Sequence, residues 1–228
     1  MDPKTALVLG GSGLVGRFCL QSLLQDANYR KVILLTRREL PIEDPAKLTQ
    51  KVIDFDKIES TLLEPVDDVF CALGTTIRTA GSQAAFRRVD FEFPLAAARL
   101  ALKFGAQQFI VVSSVGANPK SRNFYLRTKG ELEQALCSLP FKAVHIFRPS
   151  FLTGAREETR PGESFAIPLA KVLQFVMAGP LRRYRPIAAV SVGRAMVSAA
   201  KSPGHGRIVH EYNNILRLAE GLKSIETR

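Results

Sequence analysis

The stretch Thr5-Ala6-Leu7-Val8-Leu9-Gly10-Gly11-Ser12-Gly13-Leu14-Val15-Gly16-Arg17-Phe18-Cys19-Leu20 decides the fold. Residues 5–9 are an apolar run suited to a buried strand, and the residues from Gly13 onward carry apolar positions at helical spacing. Between them stands Gly10-x-x-Gly13-x-x-Gly16. Glycine permits the positive φ of a tight turn and lets backbone N–H groups approach an anion, and the last glycine lets the helix lie against the sheet. The helix N-terminus adds partial positive charge. A glycine triplet alone reads as an unliganded turn. With a strand before it and a helix after it, the turn from Gly10 to Gly16 predicts a cradle for the diphosphate of a dinucleotide.

Outward from this turn, short β-branched runs alternate with longer amphipathic stretches. Strands are predicted over 5–9, 31–36, 51–54, 68–73, 109–113 and 143–147, and helices over 13–25, 83–104, 125–138 and 191–201. Leu95, Ala98 and Leu102 share one helical face, with Gly105 where a C-terminal cap belongs. The pattern predicts an α/β protein with a Rossmann-type doubly wound parallel sheet. Prolines at 161, 168, 180, 186 and 203 interrupt it after Arg148-Pro149. Residues 1–149 are therefore expected to form the dinucleotide-binding core. Residues 150–228 are expected to form a small irregular substrate or lid region integrated with it, in a single structural domain. A chain of 228 residues, 46% hydrophobic, fills one large core and hardly two.

The second predicted strand ends Leu34-Leu35-Thr36-Arg37-Arg38, roughly 20 residues beyond Gly16, where NAD-preferring proteins place a carboxylate for the ribose hydroxyls. Two arginines stand there instead. A guanidinium forms charge-assisted hydrogen bonds with a 2′-phosphate that a carboxylate would repel, so Arg37 and Arg38 predict NADP(H), against the plainer reading of a solvated basic loop.

Tyr125-x-x-x-Lys129 places a phenol and an ammonium one helical turn apart on one face. A phenol ionises near pH 10, and an adjacent cation lowers that value. The fifth strand ends in Ser113-Ser114, and a serine hydroxyl there would hold a substrate oxygen while the tyrosine exchanges its proton. Alone, Tyr-x-x-x-Lys reads as a surface pair. Downstream of a dinucleotide turn and a strand ending in serines it is far more specific.

Taken together, Leu9-Gly10-Gly11-Ser12-Gly13, Arg37-Arg38, Val52-Ile53-Asp54-Phe55, Cys71-Ala72-Leu73-Gly74-Thr75-Thr76, Arg88-Val89-Asp90, Ser113-Ser114, Tyr125-Leu126-x-x-Lys129-Gly130-Glu131, Phe147-Arg148-Pro149 and Arg160-Pro161-Gly162-Glu163 resemble the atypical branch of the short-chain dehydrogenases/reductases. Over nearly its whole length the chain is similar to the Tat-interactive oxidoreductase-like subfamily. The resemblance implies NADPH binding and a serine, tyrosine, lysine catalytic set. By position, Ser12, Gly13, Leu14 and Val15 would line the diphosphate, Arg37 and Arg38 the 2′-phosphate, and Leu73 with Gly74 the far side of the dinucleotide. Tyr125 and Lys129 would serve cofactor and chemistry alike, and Leu152 and Arg160 would close over the nicotinamide end. The second serine of such a pair is commonly the active one, which favours Ser114 and leaves Ser113 open. The chain departs from its relatives at Leu14-Val15, where they carry more polar residues.

Composition bounds the remaining classes. The net charge of +11 falls in short clusters, Arg37-Arg38, Arg87-Arg88 and Arg182-Arg183 with Arg185, without tryptophan or a basic-aromatic motif, so direct nucleic-acid binding is not expected. No apolar run reaches the roughly 20 residues of a membrane span. The start of the chain is a poor secretory signal, and Cys19, Cys71 and Cys137 sit in apolar contexts that suit buried thiols, so a reducing, cytoplasmic location is expected. His145 reads as a core residue on a strand, and His205 and His210 as loop residues with no metal-ligand pattern, so no metal site is expected. Residues 165–177 carry an apolar face expected to pack on the core, and Arg182-Arg183-Tyr184-Arg185 reads as a solvated segment open to an anionic substrate or an acidic protein.

The leading expectation is hydride transfer to or from a carbonyl or alcohol substrate, with Tyr125 as general acid/base, Lys129 tuning it and Ser114 orienting the oxygen. The rival is a regulatory protein that binds NADPH and passes its occupancy to a protein partner, since eukaryotic relatives with this signature are reputed to act on transcription and apoptosis. A third reading is an epimerase or dehydratase that retains its cofactor through the cycle.

Overall fold

A computed structural model of the chain describes residues 2–42, 46–61, 64–154, 179–202 and 204–226. Strands β1 (Lys4–Leu9), β2 (Tyr29–Thr36), β3 (Leu48–Val52), β4 (Asp68–Cys71), β5 (Gln108–Val112) and β6 (Ala143–Phe147) follow the order of the predicted runs. Short strands β7 (Leu152–Thr153) and β8 (Ile187–Ala188) pair with each other, and β9 (Gly206–His210) returns to the main sheet. The main sheet has seven strands in the order β3-β2-β1-β4-β5-β6-β9, and every neighbouring pair is parallel. This is the Rossmann-like α/β fold, with the order reversing between β1 and β4.

Side-chain alternation along each strand builds a core on both faces. Ala6 and Val8 of β1, Val32 and Leu34 of β2 and Ile110 of β5 point to the side covered by α1 (Gly16–Gln25), α6 (Ala189–Lys201) and α7 (Tyr212–Glu226). Leu7 and Leu9, Ile33 and Leu35, and Phe109 and Val111 point to the side covered by α4 (Phe93–Lys103) and α5 (Phe124–Cys137). Near the amino ends of the strands, buried Asp68 accepts from Tyr29 Oη at 2.7 Å and from Lys4 Nζ and Gln108 Nε2 at 2.9 Å. That cluster clamps the end of the sheet remote from the glycine turn.

The structure departs from the expectations at four places. The helix expected over 83–104 is broken into α3 (Gln83–Arg87), a wide π turn (Arg88–Glu92) and α4; it follows the four-residue helix α2 (Ile77–Ala80). Pro94 in the first turn of α4 donates no N–H, and the widened turn buries Asp90. Strand β3 ends at Val52, and Asp54 instead caps the next 3-10 turn by accepting from Asp56 N at 3.0 Å. Residues beyond 149 are more regular than their prolines suggest: β9 is the edge of the main sheet and α7 packs on α6. Cys137 is exposed rather than buried, because Leu132 and Leu136 hold the core face of α5 and the next residue turns about 100° away from it. Cys19 and Cys71 are buried. The apolar face expected over 165–177 lies outside the described residues.

Candidate functional site

The glycine turn sits at the carboxyl end of β1, beside the end of β4. Gly10 has φ +80, and a Cβ there would stand 2.6 Å from the backbone carbon of Ala72 and 2.7 Å from Leu73 N. At Gly16 a Cβ would fall 2.0 Å from Gly10 O, so the first turn of α1 lies directly on the loop. Gly13 N donates to Gly10 O at 2.9 Å, closing the turn. No side chain caps α1, and its first turn carries no acidic residue. These features fit a diphosphate: a loop with glycine at 10, 11, 13 and 16 at the point where strand order reverses, and a helix N-terminus with no side-chain cap.

Ser12 is exposed, and Leu14 is half-buried with Cδ1 at 3.5 Å from the Cβ position of Gly154, so the loop after Leu152 lies beside the turn. Val15 points into the core and offers a ligand only its backbone. At the end of β2, Arg37 and Arg38 are both exposed, with Thr36 Oγ1 donating to Arg38 O at 2.7 Å. Arg37 also borders a cavity of about 250 Å³ walled by Ile53, Phe55, Val89 and Phe93. Arg160 lies outside the described residues.

Two of the expected catalytic residues, Tyr125 and Lys129, lie on α5, and Lys129 Nζ reaches the segment that follows β4. Asn123 caps α5 by accepting from Leu126 N at 3.1 Å, which fixes the register of Tyr125 and Lys129. Gly130 sets the depth of the helix, since a Cβ there would stand 2.3 Å from the Asn118-Pro119 peptide in the loop that follows the two serines. The Tyr125 ring leans on buried Phe86, with centroids 5.6 Å apart. Lys129 Nζ lies 2.7 Å from Asp90 Oδ1, and both side chains are nearly inaccessible. Asp90 Oδ2 in turn accepts from Thr75 N at 2.8 Å. Gly74 covers this pair, its Cβ position 3.5 Å from Asp90 Oδ1 and 3.8 Å from Lys129 Nζ. Burial works against the Lys129 ammonium, but Asp90, and then Tyr125, outweigh it and hold the lysine pKa above its ordinary value. Burial pushes the nearby Cys71 thiol up to about 11, which makes it a poor nucleophile.

The two serines separate clearly. Ser113 Oγ donates to Glu133 Oε1 at 2.6 Å, and Glu133 also accepts from Arg148 Nε at 2.9 Å and Arg207 at 3.1 Å. Ser114 Oγ is half-buried and, among the described residues, makes only a 3.3 Å contact with the adjacent Val115 O. Two residues missed by sequence reasoning are Asp90 and Glu133. Asp90 stood in the quoted Arg88-Val89-Asp90 motif without a role, and Glu133 lies four residues past Lys129 on the same helix, a signal easily taken for a surface charge. His210 is not a loop residue. It ends β9, and its Nε2 lies 3.0 Å from Nδ1 of His145.

The fold is a Rossmann-like α/β fold, and the chain belongs to the NAD dependent epimerase/dehydratase family, which it matches over residues 6–136. It is 36% identical over 212 residues to "Protein HTATIP2" of Rattus norvegicus, covering 91% of this chain and 86% of that one. It is 32% identical over 209 residues to "Protein FMP52, mitochondrial" of Lodderomyces elongisporus, covering 87% of each. Among solved structures, it resembles MoeE5 in complex with UDP-glucose and NAD, with TM-score 0.67, 16% identity and 96% and 82% of the two chains covered. It also resembles a UDP-N-acetylglucosamine 4-epimerase from Methanobrevibacter ruminantium M1, with TM-score 0.68, 18% identity and 100% and 84% covered. The expected cytoplasmic location does not stand, because relatives at 32% identity are named mitochondrial. Buried Cys19 and Cys71 are compatible with a reducing compartment and do not say which one. Among the described residues, no helix is long and apolar enough to cross a membrane.

Proposed function

We propose that this chain is an NADP-dependent oxidoreductase acting on a carbonyl or alcohol substrate, and the observation that carries the reading is the buried Lys129–Asp90 pair directly behind Tyr125. The backbone of Gly10 to Gly16, with Ser12, Gly13, Leu14 and Val15, would hold the diphosphate, Arg37 and Arg38 the 2′-phosphate, and Leu73, Gly74 and Leu152 the remainder of the dinucleotide. Lys129 serves cofactor and chemistry alike.

A bound nicotinamide dinucleotide supplies or accepts the hydride at the carbonyl carbon. Asp90 holds the Lys129 ammonium against burial, which on its own lowers the lysine pKa. The fixed ammonium stands beside Tyr125, whose Oη gives a proton to the carbonyl oxygen in reduction and takes it back in oxidation. Ser114 Oγ, which has no strong partner among the described residues, orients that oxygen, while Ser113 is committed to Glu133.

One observation favours a second reading. Pairing with Asp90 cancels part of the lysine field at the phenol, which suits a protein that binds NADPH and signals its occupancy to a protein partner with little turnover. Loss of nicotinamide absorbance across a panel of aldehydes and ketones separates the two. The oxidoreductase reading expects turnover that Tyr125→Phe lowers on the order of a hundredfold or more while NADPH binding persists. Turnover unchanged by Tyr125→Phe overturns the residue assignment, and binding without turnover across the panel favours the regulatory reading.

A further inference from the structure

A second concave site lies at the opposite end of the sheet from Arg37 and Arg38. It is an open cleft of about 810 Å³ between the 3-10 turn Gly179–Tyr184, the end of β9 and the first turn of α7. Five arginines border it, Arg148, Arg182, Arg183, Arg207 and Arg217, with Glu211 the carboxylate on its wall. Five strand spacings at roughly 4.8 Å put β9 about 24 Å from β2, so this is not the 2′-phosphate end of the dinucleotide crevice.

The cluster is built, not merely crowded. Glu133, 3% exposed, holds Arg148 and Arg207 together from behind, and Arg148 is clamped through both Nε and a terminal nitrogen. Arg182, Arg183 and Arg217 have no carboxylate within ion-pair distance among the described residues, although Arg183 stacks on Tyr184 with its Cζ 5.1 Å from the ring centroid. Like charges gathered around one concavity repel each other until an anion enters. The helix α7 adds the positive end of its dipole at Tyr212, which also lines the cleft. Guanidinium forks match the paired oxygens of phosphoryl groups, and the volume suits a small molecule.

We propose that this cleft binds a small molecule carrying a diphosphate or a comparably dense pair of anionic groups, with Arg182, Arg183 and Arg217 as its direct partners and Arg148 and Arg207 as the braced floor. The site lies five strands away from the 2′-phosphate end of the dinucleotide crevice, and the proposal does not depend on the proposed chemistry at Tyr125.

Inorganic pyrophosphate is the probe, titrated calorimetrically into protein saturated with NADPH so that the glycine turn and Arg37-Arg38 are occupied. One pyrophosphate is expected to bind per chain, with affinity falling at least about tenfold in Arg182→Glu/Arg183→Glu and several-fold in Arg217→Ala. Glu211→Gln is expected to tighten it. NADPH affinity, unchanged in all three variants, reports that they are folded. Absence of pyrophosphate binding overturns the proposal, as does binding of equal strength in the arginine variants. It is equally overturned if a glutamate-rich peptide, RNA or anionic vesicles bind the NADPH-loaded protein and pyrophosphate does not displace them.

Discussion

Lys129 Nζ and Asp90 Oδ1 stand 2.7 Å apart in a place where neither side chain is more than 5% exposed. Breaking a buried pair strands one charge without water, so Asp90→Ala is expected to destabilise the protein by on the order of 3 kcal/mol, read as a lower denaturation midpoint. Asp90→Asn should cost less, because the amide can still accept from Thr75 N or Lys129, and it should displace the pH dependence of any turnover. A midpoint for Asp90→Ala within error of the parent would show that the pair contributes nothing.

The same pair sets a stability limit at alkaline pH. Burial lowers the Lys129 pKa and Asp90 more than restores it, leaving the folded value above that of an unfolded lysine, about 10.4. The stabilisation is therefore complete below that pH and is lost as the pH rises through the raised value. Thermal midpoints of the parent and Lys129→Met, compared from neutral pH upward, should converge only in strongly alkaline buffer.

At the acid end the sign reverses. Burial lowers both His145 and His210, the latter to about 4, with the His145 ring adding to the effect. A depressed folded value gives stability that is present above the unfolded histidine value, about 6.5, and is lost as the pH falls towards 4. His210→Gln, which keeps a polar partner for His145 Nδ1, should flatten the fall in thermal midpoint between these limits. An unchanged slope would assign the acid sensitivity to other groups.

In the proposed function, Arg37 and Arg38 would carry a preference for NADP(H). Each charge-assisted hydrogen bond to a 2′-phosphate is worth about 1.5 kcal/mol, so Arg37→Ala/Arg38→Ala is expected to weaken NADPH on the order of 100-fold and leave NADH nearly unaffected. Equal losses for the two nucleotides, measured by titration, would remove the arginines from cofactor choice.

Much of this architecture is legible in the chain because its determinants are local. The run from Thr5 to Gly16 contains its own strand, turn and helix start, and the alternation of Leu7, Val8 and Leu9 assigns each side chain to a face before any partner is known. Tyr125 and Lys129 are four residues apart, so helical geometry alone sets them side by side. Asp90 is different. Its role depends on a wide turn that forms where α3 meets Pro94 and on a lysine 39 positions later in the sequence. Glu133 likewise reads as a helix surface charge until β5, β6 and β9 bring Ser113, Arg148 and Arg207 around it. The strand β9 itself was hidden because an edge strand of five residues, largely accessible along its first half, shows no clean alternation.

The most direct test is to follow the hydride. NADPH carrying deuterium at both C4 positions is incubated with the protein and a set of aldehydes and ketones, and the products are analysed by mass spectrometry. The account predicts an alcohol that carries deuterium on the former carbonyl carbon, formed by the parent protein and strongly suppressed in Tyr125→Phe. Tight NADPH binding with no labelled alcohol from any substrate would contradict it.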